Sequence, residues 1–168
     1  MVSKVSPSVL QVSTSRGGVP KRAIPAAEVT PLGIVGDEHA HPEIHGGLRQ
    51  ALLLVTSEGI EELIALGFPL FSGALGENIT TAGLDRRSLR TGQRYRIGAI
   101  IVELTKPRAP CDTLNVYGPG IQKAVYDAQV NAGDPQSPRW GLAGFYASVV
   151  LAGAIRPGDP IALLDQMV

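Results

Sequence analysis

The sequence predicts a mainly β protein with a few short helices, its strands gathered into one barrel-like sheet. Three observations point there. Twenty glycines and thirteen prolines are spread along 168 residues, so turns recur too often for long helices. The apolar runs between them are short and of strand length. Two segments, LRTGQRYRI at 89–97 and IRPGDPIAL at 155–163, share one layout: an apolar residue, an Arg, a Gly-centred turn and a short strand. Similar hairpin entries into one sheet would read this way. They fall short of the several stacked units that a repeat array needs.

The length suits one domain, with a core from about residue 8 to residue 164 of the 168. A hydrophobic content of 44% with 18% charged residues excludes disorder. Fifteen cations offset fifteen anions, so no global field recruits nucleic acid or an anionic membrane surface, and the expected partner is a small-molecule substrate or cofactor. A lone cysteine makes no intramolecular disulfide, and no signal-like apolar run opens the chain, so a reducing cytoplasm is expected. The longest apolar stretch, 142–155, is broken by Gly144, Ser148 and Gly153 and suits a buried strand better than a membrane span.

Residues 9–13 (VLQVS) read as the first strand. The following SRGGVPKRAIP excludes a regular element by its glycines and prolines; its Arg16, Lys21 and Arg22 are either a phosphate cradle or a solvated basic loop. Apolar pieces at 26–29 and 32–35, around Pro31 and Gly33, predict one bent or bulged strand. ALLLV at 51–55 predicts an interior strand. A helix follows, capped by Thr56 or Ser57, with Glu58 at its positive end and Gly67 past its stop. Ile60, Leu63 and Ile64 would form its buried stripe, with Glu61 and Glu62 facing water. GENITTAGLD (76–85) presents Glu77 and Asn78 at a turn before a strand, as a buried hydrogen-bonding pair or as ligand contacts. A short helix at 120–129 would bury Ile121 and Val125, and Trp140 would cap the core or, less commonly for such a residue, wall a ligand pocket.

Two clusters carry chemistry. The stretch ELTKPRAPCDTL (103–114) holds Cys111 just past a strand-like run, with Lys106 and Arg108 close by. Positive neighbours favour the thiolate, which attacks electrophiles and ligates soft metals, although an isolated cysteine is more often an inert buried residue. The second cluster is GDEHAHPEIHGG (36–47). His39 and His41 would lie on one side of an extended backbone, His45 could close a metal site, and Asp37 or Glu38 could serve as an oxygen ligand or support a ligand from behind, although imidazoles clustered in a polar loop more often make hydrogen bonds than ligate metal.

Six segments taken together resemble the MOSC family, named for the C-terminal domain of molybdenum cofactor sulfurase: GGVPKRAI, GIVGDEHAHPEIHGGLRQALLL, GENITTAGLD, RTGQRYRIG, KPRAPCDTL and GLAGFYASVVLAGAIRPGDPI. They occur in the family's order and span nearly the whole chain. The resemblance implies a mixed, mostly antiparallel β-barrel with a few short helices and a pocket ending at the cysteine. It implies binding of the molybdenum cofactor (molybdopterin), with Cys111 as the molybdenum ligand or sulfur acceptor. Lys21, Arg49 and Arg108 would pair with phosphate or pterin, and His45, Gly46, Gly47, Glu77 and Asn78 would shape the pocket. In enzymatic relatives this arrangement reduces N-hydroxylated compounds, and here electrons would come from a separate donor protein. A sulfur carrier or transferase using a Cys111 persulfide is the alternative. A cofactor-storing module, and an enzyme using another divalent metal at His39, His41 and His45, are further readings. No lysine stands out as a pyridoxal phosphate site.

Overall fold

The computed structural model describes residues 5–38 and 47–164. Eleven strands run in chain order: β1 (Ser8–Thr14), β2 (Arg22–Ile24), β3 (Ala27–Thr30), β4 (Gly33–Ile34), β5 (Leu52–Thr56), β6 (Ile79–Ala82), β7 (Arg94–Ile97), β8 (Ile100–Pro107), β9 (Phe145–Leu151), β10 (Gly153–Ile155) and β11 (Ile161–Leu163). Helix α1 (Ser57–Ala65) follows β5, and α2 (Ile121–Val125) and α3 (Ala128–Asn131) precede β9. The fold is thus mainly β, with short helices.

Eight strands form one sheet in the order β11-β7-β8-β9-β5-β6-β1-β2. Every neighbouring pair in it is antiparallel except β5–β6, which is parallel and is joined through α1, the crossover a parallel pair requires. β3, β4 and β10 make a second, three-stranded sheet. The strands of the two look-alike segments pair with each other, Ile161 opposite Ile97.

A closed barrel is not what forms among the described residues; the sheet is curled and open. Pro7 and Val9 exchange backbone hydrogen bonds of 2.8–2.9 Å with Gly158, Asp159 and Ile161, so the start of β1 meets the turn before β11. Farther along, the same edge of β1 is taken by β2, with Val12 opposite Ile24. Since β1 divides that edge between two partners, no continuous ladder seals the sheet.

β5 explains its own sequence. Leu52 and Leu54 point into the core inside the curl, with Val12, Ile79, Val102 and Phe145, while Leu53 and Val55 join a second core against Leu63, Leu75, Leu114 and Ile121. Burial on both faces demands an apolar residue at every place, hence the unbroken run. Thr56 caps α1 through its hydroxyl, which accepts from Gly59 N at 3.0 Å. Ile60 and Leu63 are buried as expected, but Ile64 is exposed, because Gly59 instead of Ile64 completes the narrow buried stripe of this nine-residue helix.

Three other expectations change. Residues 27–34 are a hairpin, β3–β4, rather than one bent strand, because Gly33, at φ +114°, lets the chain reverse. The basic loop contains β2, a short edge strand created by pairing with β1. The helix expected over 120–129 breaks at Tyr126, where Asp127 accepts from Val130 N and starts α3. Trp140 lies in the core, edge-on to Phe145 at 5.6 Å, and donates from Nε1 to Leu89 O.

Candidate functional site

Cys111 lies past the end of β8 and is the residue that opens a 3-10 helix over Asp112–Tyr117. It is half-buried, and its Sγ is 2.8 Å from Thr113 Oγ1. The helix is held by Leu114, fully buried among Leu53, Leu75 and Ile121, and by Tyr117, whose hydroxyl donates to Ala74 O at 2.6 Å. The thiol therefore rests on a fixed turn.

Three residues earlier, Arg108 is 4% exposed. Its backbone N donates to Gly144 O at 2.8 Å and one terminal nitrogen to Ala143 O at 3.3 Å, which ties it to the turn before β9. Its Nε is buried with no hydrogen-bond partner among the described residues. Such a donor is rare in a folded protein and leaves capacity for an acceptor supplied from elsewhere.

Glu77 is fully buried. Its carboxylate accepts from Gly73 N at 3.0 Å, Leu75 N at 3.1 Å and the Thr80 hydroxyl at 3.0 Å. Burial pushes this carboxyl above the usual glutamate range, while its hydrogen bonds and the Arg108 charge pull the other way. Glu77 thereby fixes the loop at 73–76, whose Gly73 O accepts from Lys21 N at 2.8 Å. Burial also raises the Tyr117 hydroxyl, helped by the nearby Glu77 charge.

Asn78 continues the register between β5 and β6, its Oδ1 accepting from Leu53 N at 3.0 Å. Its Nδ2 donates to Asp37 Oδ2 at 2.8 Å. The other oxygen of Asp37 accepts from Lys21 Nζ at 2.6 Å and from Ser15 N at 3.0 Å. Both charged side chains are buried, at 7% and 4% exposure. Lys21 thus turns its ammonium inward to an ion pair, whereas Arg16 and Arg22 of the same loop are exposed.

Arg49 is exposed on a 3-10 turn, and its carbonyl accepts from the Thr105 hydroxyl of β8 at 2.6 Å. That contact seats the turn beside the strand leading to Cys111. Gly47 opens the turn in a conformation with φ +84°. His39, His41, His45 and Gly46 lie outside the described residues. Among the described residues, no group of three His, Cys, Asp or Glu side chains is placed to hold a metal ion.

Cys111 and Arg108 thus fall in one segment, and the Arg108 charge reaches Glu77. Lys21 and Asn78 meet through Asp37, which the sequence offers as an oxygen ligand or a support for one. Sequence reasoning passed over Tyr146. It lies on β9 opposite Lys106, with Lys106 Nζ 5.8 Å from its ring centroid. Burial pushes its hydroxyl up; Arg108 lowers it and the Cys111 charge raises it. Its only sequence signal was a hydroxyl-bearing aromatic inside an apolar strand.

Comparison with known proteins yields three kinds of match. The MOSC domain family model matches residues 41–162. YflK, an uncharacterized protein of Bacillus subtilis strain 168, is 31% identical over 134 residues, 78% of this chain and 55% of YflK. YiiM of Escherichia coli K12 is 31% identical over 144 residues, 83% of this chain and 59% of YiiM. The chain spans less than two thirds of either relative. Among solved structures, YiiM from Geobacillus stearothermophilus superposes with a TM-score of 0.70 at 23% identity, covering 95% of this chain and 76% of that one. YuaD from Bacillus subtilis gives 0.68 at 18%, covering 94% of both. At these identities the structural likeness concerns the fold.

Proposed function

Because the chain belongs to the MOSC domain family, which is associated with the molybdenum cofactor, we propose that it binds that cofactor through Cys111 and reduces N-hydroxylated compounds. The carrying observation is the pairing of a half-buried thiol on a fixed turn with a buried guanidinium that has an uncommitted Nε. The donor set suits the group. Molybdenum favours a soft anionic sulfur, and a phosphorylated pterin favours planar guanidinium donors.

When bound, the cofactor supplies the two-electron chemistry that removes oxygen from nitrogen. The chain's own residues hold and orient. Cys111 offers its sulfur from the start of the 3-10 helix, where Leu114 and Tyr117 keep the turn from moving. Arg108 would supply a guanidinium N–H to an anionic or carbonyl acceptor, and its charge also acts on Glu77. Arg49 would offer an exposed guanidinium to a phosphate. Lys21 contributes by holding Asp37, and through it Asn78. The net reaction consumes two electrons and two protons per N–O bond cleaved and releases water. The electrons enter from a separate donor protein, and the protons come from solvent.

Metal analysis of protein made in a cofactor-competent host, with fluorescence of the oxidised pterin, tests this reading. Near-stoichiometric molybdenum and pterin are expected. Protein that carries neither, from a host whose other molybdoenzymes are loaded, refutes it.

The Cys111–Thr113 contact favours a second reading, since a hydroxyl 2.8 Å from Sγ can hydrogen-bond an ionised or sulfur-bearing cysteine. On this reading Cys111 carries sulfur for cofactor assembly. Cyanide-labile sulfur that disappears in Cys111→Ser would support it, and its absence from freshly loaded protein would remove it.

A further inference from the structure

Tyr146 occupies the place in the sheet from which both cations of the Cys111 segment are reached. The register of β8 against β9 shifts between Leu104 and Lys106, a bulge that sets Lys106 opposite Tyr146. Bulges of this kind re-aim side chains beside functional sites. The Lys106 ammonium stands 5.8 Å from the centre of the Tyr146 ring, within reach of its negative face. Burial is the main influence on the phenol, and the Arg108 charge reaches it as well. Arg108 is nearly buried and keeps an unpartnered Nε among the described residues. Tyr146 is itself 8% exposed, packed among Leu53, Ala143 and Leu142, so its ring is a fixed support.

We propose that Tyr146 is a positioning residue that holds Lys106 and Arg108 beside Cys111, making the sulfur a collecting point for an anionic ligand. A phosphorylated pterin dithiolene belongs to that chemical class. The inference builds on the reading of Cys111 as the working sulfur, but its test needs no cofactor.

Cys111 is the chain's single thiol, so alkylation reports on it alone. Cofactor-free full-length protein is treated with iodoacetate, an anion, and separately with iodoacetamide, which is neutral. Both reagents attack the thiolate, so the ratio of their rates cancels the fraction ionised and reads the local potential. At low ionic strength the wild-type ratio is expected at least about threefold above that of N-acetylcysteine. Tyr146→Phe keeps the ring under Lys106 but removes the hydroxyl that the Arg108 charge reaches, and should lower the ratio about threefold. That is the order of change expected when one nearby, partly screened charge recedes slightly from the sulfur. Tyr146→Leu, which frees both cations, should lower it further, and salt should shrink each difference. A wild-type ratio equal to that of N-acetylcysteine overturns the proposal. So does a Tyr146→Phe ratio equal to wild type while Arg108→Leu lowers it. The phenylalanine variant preserves shape and decides the matter even where the leucine variant fails to fold. A shifted ratio in protein that never acquires molybdenum would leave the Tyr146 role standing and remove the cofactor reading; the reverse pair would do the opposite.

Discussion

Truncating Glu77 removes the acceptor for two backbone N–H groups and one hydroxyl, those of Gly73, Leu75 and Thr80, in a place with no solvent to replace it. Each buried donor left unpaired costs about 1–3 kcal/mol. Relief from burying a carboxylate offsets part of that sum, so Glu77→Ala should lose about 3–5 kcal/mol. For a chain of this size that corresponds to a fall of roughly 6–20 °C in Tm. Denaturant unfolding at neutral pH should show a lower midpoint with an unchanged slope. The pH dependence supplies an independent arm. Burial raises the folded-state pKa of Glu77, so the folded protein binds this proton more tightly than the unfolded chain. Its contribution is then fully present below the ordinary glutamate pKa and is lost as pH rises through the raised value. Glu77→Gln, which does not titrate, should lack this component, and the wild type should gain on it as pH falls through that window. An alanine variant within about 1 kcal/mol of wild type would refute the assignment of Glu77 as the clamp of the 73–76 loop.

Other expectations follow from the same contacts. Lys21→Met leaves the buried Asp37 without its cation and should cost about 3 kcal/mol in denaturant unfolding, whereas Lys21→Met with Asp37→Leu should cost less than the single change. Gly73→Ala should destabilise by about 2 kcal/mol or more, because residue 73 sits at φ +95° and a Cβ there would run into Lys21 O; a neutral result by thermal melting would contradict the tight contact between these loops. Thr113→Val removes the hydroxyl beside Cys111, and the rate of Cys111 alkylation by iodoacetamide should change without a comparable change in Tm. An unchanged rate would show that this contact does not influence the sulfur.

Much of the architecture was legible because local signals agreed with it. The run ALLLV declared a strand buried on both faces, and Thr56, Glu58 and Gly67 marked the ends of α1. Parts created by pairing between distant segments were not legible. β2 has three residues and no pattern of its own; it exists because β1 offers an edge. Closure was overestimated, since no local feature tells how β1 shares that edge between β2 and the turn at 158–161. Within the site, Cys111 and Arg108 were visible by residue type. Asp37 was visible only as an oxygen ligand or a support for one, because its partner Lys21 lies sixteen residues away across a loop. Tyr146 was hidden inside an apolar run, and only the bulge between Leu104 and Lys106 brings a cation to its ring.

Coordination of molybdenum by the Cys111 sulfur, as proposed above, can be read from X-ray absorption at the molybdenum edge on loaded protein. A sulfur shell holding the pterin dithiolene pair and one further thiolate is expected, the latter lost in Cys111→Ser while the protein stays folded. A sulfur shell unchanged by that substitution would contradict it.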